Sequence, residues 1–340
     1  MLPAAFHSRP FPTWRKRIFN RARPFAPDSL PVYRLLAIQV AIIFAMMTAA
    51  SFEFEGRDIS IVATCLAGGI ALAAVMRWRG TTRIAIAIAI AIEGMTLVLA
   101  SSMTVACLSI LLATLAPPYV DHWLAAADAH LFPFLSWPDL AIALRGQPAL
   151  TSIMCQIYSS LLWQPFALIG LLALVGQADA IWRFLHIWIL ALSVCVTIFA
   201  VAPAVTAYVH YGFALSDFPA LTVNAGWRPA EIIAQVRSGA IEDLNVSNMS
   251  GLITFPSFHS AAAVILAWSF QRIPLIRTPF ILLNGLMILT VPMIGSHYFI
   301  DVCGGIALAV LAIYATRPRS SRAPSHSGAP TNPPSTPGFD

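Results

Sequence analysis

The chain has 340 residues, of which 58% are hydrophobic and only 10% are charged, and its mean hydropathy is +0.76. This composition excludes an ordinary soluble domain, because a domain of this size cannot hide so much apolar surface, and it predicts a membrane protein. The net charge of +5 comes from basic residues scattered between apolar segments, so we expect no nucleic-acid partner.

The two ends of the chain differ from the rest. Residues 1–32 form a basic, proline-rich arm without the apolar run and small-residue cleavage site of a signal peptide. Residues 317–340 are rich in Pro, Ser, Thr and Gly, which predicts a disordered tail.

The region between these ends predicts an all-α polytopic membrane helix bundle. A membrane-spanning helix needs about 20 mostly apolar residues, and we find about eight such segments. The segment that contains Glu93 is long enough for two spans, but we interpret it as one tilted helix. The predicted spans are residues 33–52, 59–77, 83–115, 149–174, 182–205, 257–272, 278–296 and 301–316.

Basic residues predict the orientation of these spans. With eight spans, the N-terminal arm, the segment 77–83, the turn at Arg183, the turn 272–277 and the C-terminal tail all fall on one side. The positive-inside rule assigns that side to the cytoplasm. We therefore expect an inner-membrane protein with both termini in the cytoplasm and with the segments 117–148 and 206–256 on the periplasmic side.

Two of the periplasmic segments predict helices outside the spans. Asp121–Phe132 has apolar residues at helical spacing and, with Trp137 shortly after it, suits an interfacial helix with Trp at headgroup depth. Arg228–Arg237 predicts a short helix with Pro229 in its first turn.

Two short motifs carry the chemistry. The first is Phe255-Pro256-Ser257-Phe258-His259-Ser260, and the second is Gly295-Ser296-His297-Tyr298-Phe299-Ile300-Asp301. Each lies at an end of an apolar segment, so the predicted topology brings both to the periplasmic face. A lone His near lipid is most often a structural hydrogen bonder, but two His, an Asp and a Ser that converge from separate segments favour a catalytic site.

The spacing of these residues suits phosphoryl transfer. If the turn after His297 is helical, Asp301 lies one turn away and can orient the imidazole for attack on phosphorus. His259 can act as acid and base. Backbone N–H groups after Pro256 and the Ser257 hydroxyl can hold the phosphoryl oxygens. This chemistry requires no metal ion and no other cofactor.

The same motifs resemble signatures of a known family. Pro256–His259 and His297–Asp301 are similar to the second and third signatures of the type 2 phosphatidic acid phosphatase (PAP2) superfamily. Phe255-Pro256, His297-Tyr298, Ala202-Pro203 and the stretch 121–132 are most similar to its inositol phosphorylceramide synthase-like branch.

That resemblance implies a catalytic mechanism and a domain organisation. It implies a phosphohistidine intermediate, with His297 as the nucleophile, Asp301 as its orienter and His259 as the acid and base. It also implies a six-helix core within residues 83–316, preceded by an extra transmembrane pair at 33–82, and phosphorylated lipids as substrates.

The chain departs from the family where phosphate is bound. The superfamily has Ser-Arg shortly before the nucleophile, where this chain has Thr290 and Val291, and Leu221 stands where a Lys is usual. Arg228 is the candidate remnant of that first signature, and Arg237 and His210 are other outer-loop candidates. We expect Ser257, Ser296 and Arg228 to contact the substrate phosphate.

Three functions follow from these patterns. The first is a metal-independent membrane lipid phosphatase, and the second is a headgroup transferase in which an alcohol replaces water as the acceptor. The third, from another class, is an inactive lipid-binding or transport protein, which the absent cationic residues suggest. The sequence gives no indication of the oligomeric state.

Overall fold

The structure, a computed structural model, describes residues 29–50, 52–54, 56–245, 249 and 251–317. Residues 1–28 of the predicted basic arm and residues 318–340 of the predicted tail lie outside the described part. Within it, the chain forms thirteen α-helices and one pair of two-residue strands.

The elements follow in chain order. They are α1 (Leu30–Ala50), β1 (Glu53–Phe54), α2 (Gly56–Arg79), α3 (Arg83–Ala113), α4 (Asp121–Leu131), α5 (Trp137–Arg145), α6 (Pro148–Ser159), a 3-10 turn (Ser160–Leu162), α7 (Gln164–Leu174), α8 (Ala178–Val201), α9 (Ala207–His210), a 3-10 turn (Leu215–Asp217), α10 (Arg228–Arg237), β2 (Asp243–Leu244), α11 (Phe258–Phe270), α12 (Arg277–Ile294) and α13 (Phe299–Ala315).

The fold is an all-α bundle of a multi-pass membrane protein, as predicted. Among the described residues, α1, α2, α3, α8 and α12 are long and apolar enough to cross a membrane, and α6 with α7 qualifies as one bent pair. α11 and α13 are shorter apolar helices of 13 and 17 residues. Each of the eight predicted apolar segments coincides with one of these helices or with the bent pair.

The structure refines the prediction of one straight span over 149–174. The chain bends by 49° between Pro148–Leu162 and Gln164–Leu174. Pro165 lies in the first turn of α7, and its lack of an N–H removes a helical hydrogen bond at this point. The bend places the polar end of α6, which includes Tyr158, inside the bundle.

The long apolar segment that contains Glu93 is one continuous helix, α3, as we predicted. Glu93 is buried, where it forms an ion pair with Arg77 and accepts a hydrogen bond from the Tyr33 hydroxyl. Arg77, expected in a charged loop, is only 7% exposed and lies in the last turn of α2 beside Trp182. Burial is tolerable because each charge has a partner, and the pair joins α1 and α2 to the rest of the bundle.

The loops predicted for one side of the membrane meet at one end of the bundle. β1, after α1, pairs in parallel with β2, which lies in the long loop before α11. The Val120 N–H, before α4, donates to the Pro203 carbonyl after α8 at 2.9 Å. Both motifs of the predicted site lie at this end, where α11 and α13 begin and α12 ends.

Helices α11 and α13 cross at very close range. A Cβ atom on Gly305 of α13 would lie 2.2 Å from the Ser257 carbonyl oxygen and 3.0 Å from the Ser260 Cβ. Only a residue without a side chain allows this approach, so Gly305 sets the distance between the two helices that carry the motifs.

We therefore expect Gly305→Ala to destabilise the bundle by about 1–3 kcal/mol, because the added methyl group forces α11 and α13 apart. Thermal unfolding of the full chain in detergent measures this. Gly68→Ala in α2 is the matched control, since its Cβ would meet no atom within 4 Å. Equal unfolding temperatures for the two variants would contradict the close crossing.

Candidate active site

His297 and Asp301 form a buried pair in the turn from α12 to α13. Nδ1 of His297 lies 3.4 Å from Oδ2 of Asp301, which also accepts the Tyr298 N–H at 3.0 Å. Both side chains are buried, and among the described residues Oδ1 of Asp301 has no hydrogen-bond partner. With Nδ1 turned to the carboxylate, Nε2 is the nitrogen left for chemistry.

Ser257 joins the first motif to this pair. Its backbone N–H donates to the Asp301 carbonyl at 3.1 Å. Its hydroxyl caps α11 by accepting the Ser260 N–H at 3.3 Å and the Ser260 hydroxyl at 3.2 Å. The N–H groups of Phe258 and His259 remain as the first-turn donors without an intrahelical acceptor, and such groups attract anions.

His259 lies against Tyr158. The Tyr158 hydroxyl is 3.1 Å from Nδ1 of His259, and the two rings stack with centroids 3.9 Å apart. A Cβ on Gly295 would lie 2.7 Å from Cδ2 of His297 and 2.9 Å from the Tyr158 hydroxyl. The His297 ring and the Tyr158 hydroxyl therefore both border the small space left by Gly295, and Tyr158 in turn contacts His259.

Two aspartates of α4 hold the turn that carries His297. Asp128 accepts the N–H groups of Phe299 and Ile300 at 2.7 and 2.8 Å. Asp121 accepts the Tyr298 hydroxyl at 3.0 Å and the Val205 N–H at 2.8 Å. Charged acceptors of this kind make strong hydrogen bonds and favour the N-terminus of α13.

Burial shapes the protonation of these groups. It raises the pKa of the Asp128 carboxyl, while the two backbone N–H groups act in the opposite direction. Burial and the nearby Asp121 carboxylate also raise the pKa of Tyr298, so its hydroxyl stays protonated as a donor to Asp121. For Asp128, it is therefore the two backbone hydrogen bonds, and not burial, that favour the carboxylate form.

Trp137 contacts the backbone of His297. Its indole N–H donates to the His297 carbonyl at 3.0 Å, and its ring stacks on Tyr211. The side chain is only 2% exposed, so it packs inside the protein, and the expectation of a Trp at headgroup depth in this segment stays a prediction. Trp123 of α4, at 68% exposure, is instead the Trp with an open face.

The predicted phosphate ligands occupy different positions. Ser296 has a φ of +59°, and its buried hydroxyl accepts the Tyr208 N–H at 2.9 Å. Arg228 opens α10, the short helix predicted from its sequence, and is half-buried. A Cβ on Gly226 would lie 3.5 Å from the Ser296 Cβ, so the chain just before Arg228 packs on the turn that carries His297.

The other outer-loop cations are engaged in different ways. Arg237 donates to the Pro117 carbonyl at 2.9 Å and lies over the Tyr119 ring, 4.0 Å from its centroid. It therefore anchors the far end of α10. His210 is exposed, and its ring centroid is 6.0 Å from that of Tyr298. Thr290 and Val291 are buried within α12.

Sequence reasoning missed several supporting residues. Tyr158 stood out only as part of a polar-aromatic face, and Trp137 only as an interfacial residue. Asp121 and Asp128 offered a clearer signal, because two acidic residues seven positions apart share one face of a helix. In the part of the chain that the structure describes, no group of three or more His, Cys, Asp or Glu side chains could hold a metal ion.

Comparison with known proteins points to one family. The family model described as the PAP2 superfamily matches residues 122–315, which is more than half of the chain. The match contains both motifs and leaves α1, α2 and α3 outside. No curated protein and no solved structure matches the chain.

Replacing Asp128 by Ala should lower the free energy of unfolding by about 2–4 kcal/mol, because two buried N–H groups lose a charged acceptor. Chemical denaturation of the full chain in detergent measures this. Asp139→Ala, which removes an exposed carboxylate from the neighbouring helix α5, should change stability by no more than about 0.5 kcal/mol. A similar small effect for both variants would show that Asp128 does not hold the turn.

Proposed function

Since the chain belongs to the PAP2 superfamily, whose members are generally phosphatases or phosphotransferases, we propose that it is a membrane lipid phosphatase. It hydrolyses a phosphate or diphosphate monoester of a lipid through a phosphohistidine intermediate. The observation that carries this proposal is the buried His297–Asp301 pair at the end of an apolar bundle, where His297 and the Tyr158 hydroxyl, which contacts His259, border one small space.

In the first half-reaction, Nε2 of His297 attacks phosphorus and the bond to the lipid oxygen breaks. Beside the anionic phosphate of the substrate, His259 acts as the imidazolium, with its Nδ1–H directed at the Tyr158 hydroxyl oxygen and its other proton on Nε2. That proton passes to the departing oxygen. The Asp301 carboxylate stabilises the positive charge that develops on His297.

In the second half-reaction, water attacks the phosphohistidine. His259, now unprotonated at Nε2, takes a proton from this water, and the phosphorus–nitrogen bond breaks to release inorganic phosphate. Both histidines return to their starting states. Because no electron transfer is involved and each proton has a donor and an acceptor on the protein, we propose that the reaction is independent of metal ions.

The substrate phosphate is held mainly by the start of α11. The N–H groups of Phe258 and His259 point along the positive end of that helix, and the Ser257 hydroxyl adds a donor to the same turn. Arg228 supplies a positive charge from the segment packed on Ser296. This set replaces the Arg and Lys that the superfamily places elsewhere, and Ser296 contributes chiefly by fixing the turn.

We further propose that the protein lies in a cell inner membrane, with both termini in the cytoplasm and the site on the periplasmic side. Among the described residues, the basic segment 77–83, Arg183 and the turn 272–277 support this orientation, since they lie at helix ends remote from the site. A phosphorylated lipid of the outer leaflet would then present its headgroup to the site.

The decisive assay measures inorganic phosphate release by the purified full chain in detergent, with a chelator present. The substrates are phosphatidate, an isoprenyl diphosphate and phosphatidylglycerol phosphate. We expect release from at least one lipid, and a loss of roughly 10³-fold or more in His297→Ala, because the nucleophile is gone. His186→Ala, which removes a half-buried His from α8, is the matched control.

The other outcomes separate the alternatives. Release that appears only when an alcohol acceptor such as inositol or a ceramide is added would identify a headgroup transferase. If the chain binds a lipid but releases no inorganic phosphate, and vanadate does not protect the chain, the protein is an inactive lipid-binding protein. Equal release by the native chain and by His297→Ala would overturn the assignment of the nucleophile.

Tyr158→Phe tests the positioning of His259. Loss of one hydrogen bond should lower kcat about 10-fold with little change in KM, because the ring of His259 is no longer held in one tautomer. Tyr314→Phe, which alters an exposed Tyr at the opposite end of the bundle, should leave both constants unchanged. A rise in KM at constant kcat would place Tyr158 in substrate binding instead.

A further inference from the structure

The end of the bundle remote from the site contains a cluster of arginines around one Trp. The guanidinium carbon of Arg183 lies 4.7 Å from the Trp268 ring centroid, and that of Arg272 lies 5.7 Å from it. The Gln177 amide donates to the Arg272 carbonyl at 3.2 Å, so the turn before α8 is tied to the end of α11. One arginine of α8 and one arginine of the turn after α11 therefore lie at a single aromatic ring.

An apolar groove opens beside this cluster. It has a volume of about 480 Å³ and lies between α11, α12 and α13, with Trp268 in its wall and Gln271 and Arg317 among its lining residues. Gly285 of α12 also lines it, and a Cβ at that position would meet no atom within 4 Å. The groove thus combines an apolar channel along the helices with polar and cationic residues near the C-terminal end of α13.

The location of the cluster follows from helix direction. α11 begins at the catalytic motif and ends at Phe270, so Arg272 lies about 20 Å along the bundle from His259 at the usual rise per residue. Arg317 follows the end of α13, whose first residues form the other motif. The cluster and the site are therefore at opposite ends of the same three helices.

The positive charge at this end of the bundle favours an anionic ligand. The segments 177–183, 271–277 and 314–317 contain four arginines and a single acidic residue, Asp179, so this end is net positive. Basic pockets between transmembrane helices bind anionic lipid headgroups, and half-buried Trp residues suit the membrane interface. A molecule with a negative head and an apolar tail matches both parts of this surface.

We propose that Arg183, Arg272 and Arg317 bind the headgroup phosphate of an anionic phospholipid, one of whose acyl chains lies in the groove between α11, α12 and α13. This lipid belongs to the leaflet opposite the catalytic site and is not the substrate. It stabilises the packing of the three helices that carry the catalytic motifs. The proposal does not depend on the reaction that the site performs.

The test measures the thermal stability of the full chain in detergent during titration with phosphatidylglycerol or with phosphatidylcholine of identical acyl chains. We expect phosphatidylglycerol to bind more tightly and to raise the unfolding temperature more. Arg317→Gln, at an exposed position, should weaken phosphatidylglycerol binding about 5-fold, and Arg183→Gln with Arg272→Gln roughly 25-fold, at about one fivefold factor per arginine.

Two further variants separate this site from general attraction to charge. Gly285→Leu fills the groove without altering any charge, and it should also weaken phosphatidylglycerol binding. Arg79→Gln is the matched control, because Arg79 lies over Trp78 at the same end of the bundle and is exposed. It should bind phosphatidylglycerol like the native chain.

Three results would overturn the proposal. They are equal affinity for the two lipids, native-like binding by Arg317→Gln and Gly285→Leu, and an equal loss of binding in Arg79→Gln. Inorganic phosphate at the same concentration should leave the unfolding temperature unchanged. A shift as large as that from the lipid would indicate a soluble anion site and would also contradict the proposal. Each readout is made on binding or stability, so failure here leaves the proposed phosphatase activity untouched.

Discussion

The hydrogen bonds from the start of α13 to the carboxylates of α4 are the constraint on which the site depends. Asp128 accepts two backbone N–H groups, and Asp121 accepts the Tyr298 hydroxyl. Backbone donors at a buried helix start must find acceptors, and here both acceptors come from a helix about 170 residues earlier in the chain. Because this turn is fixed, the imidazole of His297 and the carboxylate of Asp301 meet in one orientation.

A second contact fixes the motif around Ser257 against the turn that carries His297. The Ser257 N–H donates to the Asp301 carbonyl, and Gly305 allows α11 and α13 to cross against that same Ser257. The first turn of α11 is therefore fixed against the turn that carries His297 and Asp301. The reaction proposed above needs its groups held within a fraction of an ångström, and these main-chain contacts position the two motifs without using the imidazoles of His259 and His297.

Charge is distributed differently at the two ends of the bundle. At the end that carries the two motifs, Val291 is buried, and positive charge comes from the N-terminus of α11 and from Arg228. At the other end, arginines gather around Trp268. Elsewhere in the bundle, the opposite charges of Arg77 and Glu93 neutralise each other, and their ion pair contributes to the packing of α1, α2 and α3. Each charge thus lies at an interface or beside a partner, as a low-dielectric surrounding requires.

The sequence by itself determined the apolar helices, the continuity of α3, the short helix α10 and the two motifs that meet in the site. These features are local. A helix in lipid makes its backbone hydrogen bonds within its own segment, so the apolar composition of that segment is enough to predict it. Only the tertiary structure decided the bend after Tyr158, the burial of Trp137 and Arg77, and the use of Asp121 and Asp128 as acceptors. The contact between Tyr158 and His259 joins residues 101 positions apart, and no periodicity in either segment encodes such a partner. Long-range hydrogen bonds depend on how the helices pack, and that packing depends on the contacts among all of the helices.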